Sequence, residues 1–156
     1  MEKYQHMVHH QKIFKEISDL LSKHVAVKLD EVDYGTQLTI DETEIWLDCD
    51  PHELTIGYGL VHHHYNPNHN DLKKAIEQLI NVLTRRKRIT TYHKGNRIFK
   101  RKTEIEVQNG KFEHFGTAMT WAFPFWRRTT KTIQFHEPLI DFIKIENEIQ
   151  AIYRLM

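Results

Sequence analysis

Cysteine occurs once in the 156 residues, glycine six times and proline four times. The lone thiol, Cys49, has no partner within the chain, so no internal disulfide framework holds the fold and a reducing compartment is expected. No apolar run approaches the roughly 20 residues that cross a bilayer, which sets the expectation of no membrane partner. The N-terminal stretch MEKYQHMVHHQKIF has helical periodicity in place of a basic end followed by an apolar core. It does not read as a secretory signal, and the expected location is the cytoplasm. Also missing are G-x-S-x-G, the phosphate-binding and dinucleotide-binding glycine patterns, H-E-x-x-H and paired-cysteine spacings. No stretch is linker-like or low in complexity. At this length the chain suits one domain, burying roughly two thirds of the surface its unfolded form exposes.

Charge of one sign is locally absent too. Between Leu29 and Leu72 there is no lysine or arginine, and between Arg85 and Lys102 there is no acid. Residues 1–84 carry 7 Lys+Arg against 14 Asp+Glu, and residues 85–156 carry 15 against 7, so a net charge of +1 hides halves of −7 and +8. Such blocks give a dipolar surface unless cross-strand pairing interleaves them.

What is present reads as α+β: antiparallel meanders with an N-terminal helix, a central amphipathic helix and a C-terminal helix. Helical spacing runs from about Tyr4 to Lys23, with Met7, His10, Ile13, Phe14, Ile17, Leu20 and Leu21 on or beside one face. Strands follow around Val25–Leu29, Leu38–Ile40 and Glu44–Cys49, divided by Asp33-Tyr34-Gly35, Asp41-Glu42 and Asp50-Pro51. The fourth strand is the longest, 53–65. Period-2 geometry places Leu54, Ile56, Tyr58, Leu60, His62 and His64 on one of its faces. Asn66-Pro67 ends it, and Leu72, Ala75, Ile76, Leu79, Ile80 and Leu83 mark a helix over 70–86 with Asn68 or Asn70 as N-cap. Lys94-Gly95-Asn96 and Asn109-Gly110 read as turns between three further strands. Pro124 marks a bend or edge, TKTIQF a last strand, and Pro138 the start of a terminal helix with Leu139, Phe142, Ile143, Ile149, Ile152 and Tyr153 inward.

Three constellations can carry chemistry. Twelve histidines include His62 and His64 on one strand face, where two imidazoles can reach one divalent metal ion, with Asp48, Asp50 or His52 to complete the set. Short of that metal no cofactor is implied, and no catalytic residue stands out; a Cys49 nucleophile assisted by His62 or His64 has only spacing behind it. The basic stretch 85–102 can track a phosphate backbone, with Tyr92 and Phe99 to stack bases. Alternation places Ile98, Lys100 and Lys102 on one side and Arg97, Phe99 and Arg101 on the other, which divides the charge and counts against nucleic acid. Trp121, Phe123, Phe125 and Trp126 form the densest aromatic cluster, and Trp126 beside Arg127 suits an interface anchor.

The order of strand, His-x-His-aromatic-Asn/Asp, short gap and helix with Ala-Ile-x-x-Leu-Ile-x-x-Leu is seen here as HHHYN and then AIEQLINVL. With the basic hairpin and Trp-containing strand that follow, residues 53–126 resemble small bacterial immunity-type proteins of polymorphic toxin systems. Val61 and Asn66 stand where that pattern has acids beside the histidines. The resemblance implies a stoichiometric protein binder that neutralises a toxin without catalysis. An acidic surface over 30–53 suits a basic toxin cleft, with Asp33, Glu42, Glu44, Asp48, Asp50 and Trp126 as the expected partner-binding residues.

Overall fold

The computed structural model describes residues 9–156, so the part of the first helix expected before His9, including Tyr4 and Met7, lies outside the described residues. The fold class is α+β as read: the described residues form three helices, N-terminal, central and C-terminal, and two antiparallel sheets. The described chain divides into two compact units, one made of the residues up to Ile80 with Ile140–Met156, the other of Asn81–Leu139.

In the first unit, α1 (His9–His24) buries His10, Ile13, Phe14, Ile17, Leu20 and Leu21, the face its spacing predicts. The strands are β1 (Val27–Val32), β2 (Gly35–Ile40), β3 (Ile45–Cys49), β4 (Leu54–Tyr58) and β5 (Val61–Tyr65), hydrogen-bonded in that order as one meander. Leu38, Ile40, Ile45, Leu47, Cys49, Leu54, Ile56 and Tyr58 form its buried face. At the first turn Gly35 is needed for proximity rather than for a left-handed φ. A Cβ there would overlap the carbonyl oxygen of Cys49.

The single strand expected over 53–65 is two strands. Gly59-Leu60 is a two-residue turn with Tyr58 opposite Val61, and Gly59 has φ +60 while Leu60 does not leave the ordinary region. A glycine at the first central position is the signature of the mirror-image turns that match strand twist. A two-residue reversal shifts the alternation by one, so His62 pairs with Gly57 and His64 with Thr55. Both histidines therefore leave the face of Leu54, Ile56 and Tyr58 and stand on the opposite one.

The central helix α2 (His69–Thr84) starts where its cap signal lies: Asn68 Oδ1 accepts from the Asp71 N–H at 2.9 Å. The terminal helix α3 (Phe142–Arg154) starts later than Pro138, because Asp141 supplies the N-cap and accepts from the Ile143 N–H at 3.2 Å. Its buried residues are Ile145, Ile149 and Ile152, whereas Ile143, expected inward, is exposed. Lys23 and His24 of α1 reach Glu148 of α3 at 2.9 and 2.7 Å.

The second unit is built on β6 (Lys87–Lys94), β7 (Arg97–Gln108), β8 (Lys111–Met119) and β9 (Thr129–His136), in the order β8-β7-β6-β9. Both expected turns are present, with Gly95 and Gly110 at φ +58 and +78. A register shift between Tyr92 and His93 sets Lys100 opposite Tyr92 but Ile98 opposite His93, so the even alternation expected for 97–102 does not run through. Glu104, almost fully buried, pairs with Arg88 and Lys102, each at 2.8 Å. The Arg88 guanidinium in turn lies 4.5 Å over the Phe112 ring. Lys87 is also buried, its Nζ donating to the Val82 carbonyl in the last turn of α2 at 2.7 Å. Burial draws that amine down to about 8, with Glu137 acting in the opposite sense.

Candidate functional site

Because the meander buries one face, the other carries its polar residues, and the register sets them in rows. One row is Asp48, Thr55 and His64; the next is Trp46, Gly57 and His62. Trp46 Nε1 donates to the Gly59 carbonyl at 2.9 Å, and its rings lie 5.6 Å from His62, which meets His64 edge to face at 4.9 Å. The residue missing from the expected set is Glu53. Its Oε1 accepts from His64 Nδ1 at 2.6 Å, and Thr55 Oγ1 lies 3.2 Å from the same nitrogen.

That geometry bears on chemistry. Acid and hydroxyl meet the imidazole at one atom, so His64 cannot relay a proton from one to the other as a catalytic triad requires. Cys49 lies on the buried face, away from both histidines, and burial followed by the nearby Asp50 and Asp48 charges pushes its thiol up to about 12. It is a core thiol. His62 and His64 do share a face, as expected for a metal pair, but Nδ1 of His64 is taken by Glu53. Asp50 Oδ1 is turned to the His52 and Glu53 N–H groups at 2.6 and 2.8 Å. Among the described residues no group of three or more His, Cys, Asp or Glu is gathered at metal-binding geometry.

The meander divides the expected acids between its two ends. The β1–β2 turn with Asp33 and the β3–β4 loop with Asp50 and Glu53 lie at one end, next to Asp48; Glu42 and Glu44 lie at the other. Strands of five or six residues separate the ends by about 17–20 Å. Trp126 belongs to the second unit. The end holding Asp33, Asp48, Asp50 and Glu53 has strong local electrostatics. Burial, then the charges of Asp50 and Glu53, raises the Asp48 carboxyl above its ordinary range, and Asp48 Oδ1 is shielded with no hydrogen-bond partner among the described residues. For Asp50 burial acts upward as well, but the His52 and Glu53 N–H groups and the His52 and His10 imidazoles together hold it low. His10 Nε2 donates to the Asp50 carbonyl at 2.7 Å and fixes the loop.

Beside this acidic end is a cleft of about 400 Å³ whose lining includes Phe14, Leu29, Tyr34 and Cys49, with Asp19 and Asp50 among its polar residues. Tyr34 keeps 82% of its surface exposed, and Leu29 is half exposed because β1 is an edge strand. Sequence patterning placed Asp33-Tyr34-Gly35 in a turn but gave no sign of the cleft, which needs α1 and two turns brought together. Over the whole unit the described residues carry 8 Lys+Arg against 16 Asp+Glu, a net −8; Asn81–Leu139 carries 13 against 4, a net +9. The charge asymmetry thus follows the structural division. No family model matches the chain, nor does any curated protein or solved structure.

Proposed function

We propose that the five-stranded unit is a protein-binding module whose acidic end receives a basic partner, in the manner of an immunity protein that neutralises a toxin by stoichiometric binding. The observation that supports this reading best is the cleft of about 400 Å³ lined by Tyr34 and Leu29, with Asp50, Asp19 and the Lys15 that pairs with Asp19 at 2.6 Å as its charged residues. An apolar pocket within a charged surround is where an interface concentrates its energy, and it suits the aliphatic stem and cationic head of an arginine or lysine. The −8 charge of the unit supplies long-range attraction and orientation. Asp33, Asp48 and Asp50 act together in this reading. Glu42 and Glu44 contribute only to the general field.

Tyr34→Ala tests the pocket. Tyr34 is exposed, so the substitution leaves the melting temperature unchanged while weakening binding to the basic toxin domain proposed as partner by about tenfold or more, the effect of a hot-spot truncation. Binding that survives the substitution undiminished sinks the assignment of the cleft.

A further inference from the structure

The acidic site makes no use of a second concentration of side chains, at the Gly95 end of the four-stranded sheet. The β6–β7 turn, the end of β8 and the loop 120–128 meet there: the Thr120 N–H donates to the Phe99 carbonyl at 2.9 Å, and the Phe99 and Phe123 rings are 4.7 Å apart. These contacts hold the loop down while its large side chains project. Trp121, Phe125 and Trp126 keep 83%, 75% and 72% of their surface exposed, and Ile98 and Met119 beside them are each more than half exposed. Exposed apolar groups gathered at one end call for a partner.

The charge around them has one sign. Residues 91–103 and 114–136 contain no acid, and Lys94, Arg97, Lys100, Arg127, Arg128 and Lys131 surround the aromatic tip. Elsewhere in this unit the acids are engaged: Glu104 with Arg88 and Lys102, Glu137 with Arg86, and Glu106 with the Gly110 N–H. Lys94, Arg97, Arg127, Arg128 and Lys131 have no ion-pair partner among the described residues. Such a surface suits a partner that is anionic and offers an apolar phase next to its charges.

We propose that this end of the unit is a peripheral docking surface for an anionic lipid bilayer. Trp121, Phe125 and Trp126 enter the interfacial region, and Arg97, Arg127, Arg128 and Lys131 meet the headgroup phosphates. Two observations favour lipid over a nucleic-acid strand, which would share the charge. Phe125 and Trp126 close on each other edge to face at 86° instead of presenting parallel platforms for bases, and the neighbouring Ile98 and Met119 are aliphatic groups with no stacking surface. A protruding tip also suits a fluid phase, which needs no preformed pocket. No helix among the described residues is long and apolar enough to cross a membrane. That bears on crossing and leaves adsorption to the surface open.

The full chain is sedimented with phosphatidylcholine vesicles with and without phosphatidylglycerol, and in parallel titrated against a single-stranded oligonucleotide. The signal of Trp121 and Trp126 is read as the difference between the wild type and the Trp121→Ala/Trp126→Ala protein, in which Trp46 alone remains. The proposal expects binding only to the anionic vesicles, weakening with salt, with a blue shift of tryptophan emission. Trp121→Ala with Trp126→Ala, and separately Arg127→Glu with Arg128→Glu, each reduce the bound fraction at least about tenfold. Both pairs are exposed, so unchanged thermal unfolding verifies that they remain folded. Absence of binding to anionic vesicles overturns the proposal. So does binding that the tryptophan pair does not affect, or an oligonucleotide bound more tightly than the vesicles.

Discussion

The indole of Trp46 on β3 lies against Gly57 on β4, so close that a Cβ at position 57 would overlap Cε2, Cζ2 and Nε1 of the ring. This contact fixes the polar face of the meander, because the same indole donates to the Gly59 carbonyl in the β4–β5 turn and packs beside His62.

Gly57→Ala must displace that ring. Gly57 is not among the left-handed positions, so the whole cost is steric, of the order of 1–3 kcal/mol for overpacking. Urea unfolding followed by far-UV dichroism measures it. The expected result is a lower midpoint, partly recovered in Gly57→Ala/Trp46→Ala. A midpoint equal to that of the wild type contradicts the packing.

Glu104→Gln should cost about 2 kcal/mol at neutral pH, since it weakens two charge-assisted bonds of a nearly buried carboxylate. The Arg88 hydrogen bond is foremost in holding the Glu104 carboxyl below its ordinary range, with Lys102 assisting against burial. For an acid lowered in this way the stabilisation is present above the unfolded-state value and disappears as pH falls through the folded one. The gap between wild type and variant should therefore close below about pH 4. A gap independent of pH would mean that the charge contributes nothing.

How much of this was legible in the sequence depends on whether the signal was local. Asn68 ahead of an apolar-periodic run announced α2, and Asn109-Gly110 announced a turn, because cap and turn preferences act within a few residues. Gly59-Leu60 escaped, since apolar residues continue on both sides of it and a two-residue reversal leaves no gap in the pattern. That one turn decides which face His62 and His64 occupy, and with it the meeting of His64 with Glu53, eleven residues away. Likewise Pro138 suggested a helix start, but Asp141, with a side chain able to cap, was the residue used. The acids of 33–50 looked like one surface in sequence; strand direction alone distributes them between two ends.

Lys87→Met tests the buried amine. Its folded value near 8 lies below that of the unfolded chain, so the native state loses the proton first, and wild-type stability rises with pH between about 8 and 10.5 relative to any variant lacking the amine. Thermal melts of both proteins across that window should show the difference shifting in favour of the wild type as pH increases. A difference that does not change with pH would place the amine in water.

The charge reversal Asp33→Lys with Asp48→Lys examines the acidic end itself. Neither side chain lies in the apolar core, and thermal unfolding verifies that the double variant is folded before its rate is compared. The decisive quantity is its association rate with the basic toxin domain proposed as partner, measured by stopped-flow or biosensor at low and at physiological salt. The account predicts that the wild type associates faster at low salt and that the double variant is slower by about tenfold or more, with the difference shrinking as salt rises. Equal rates for the two proteins at low salt, with both folded, would contradict it.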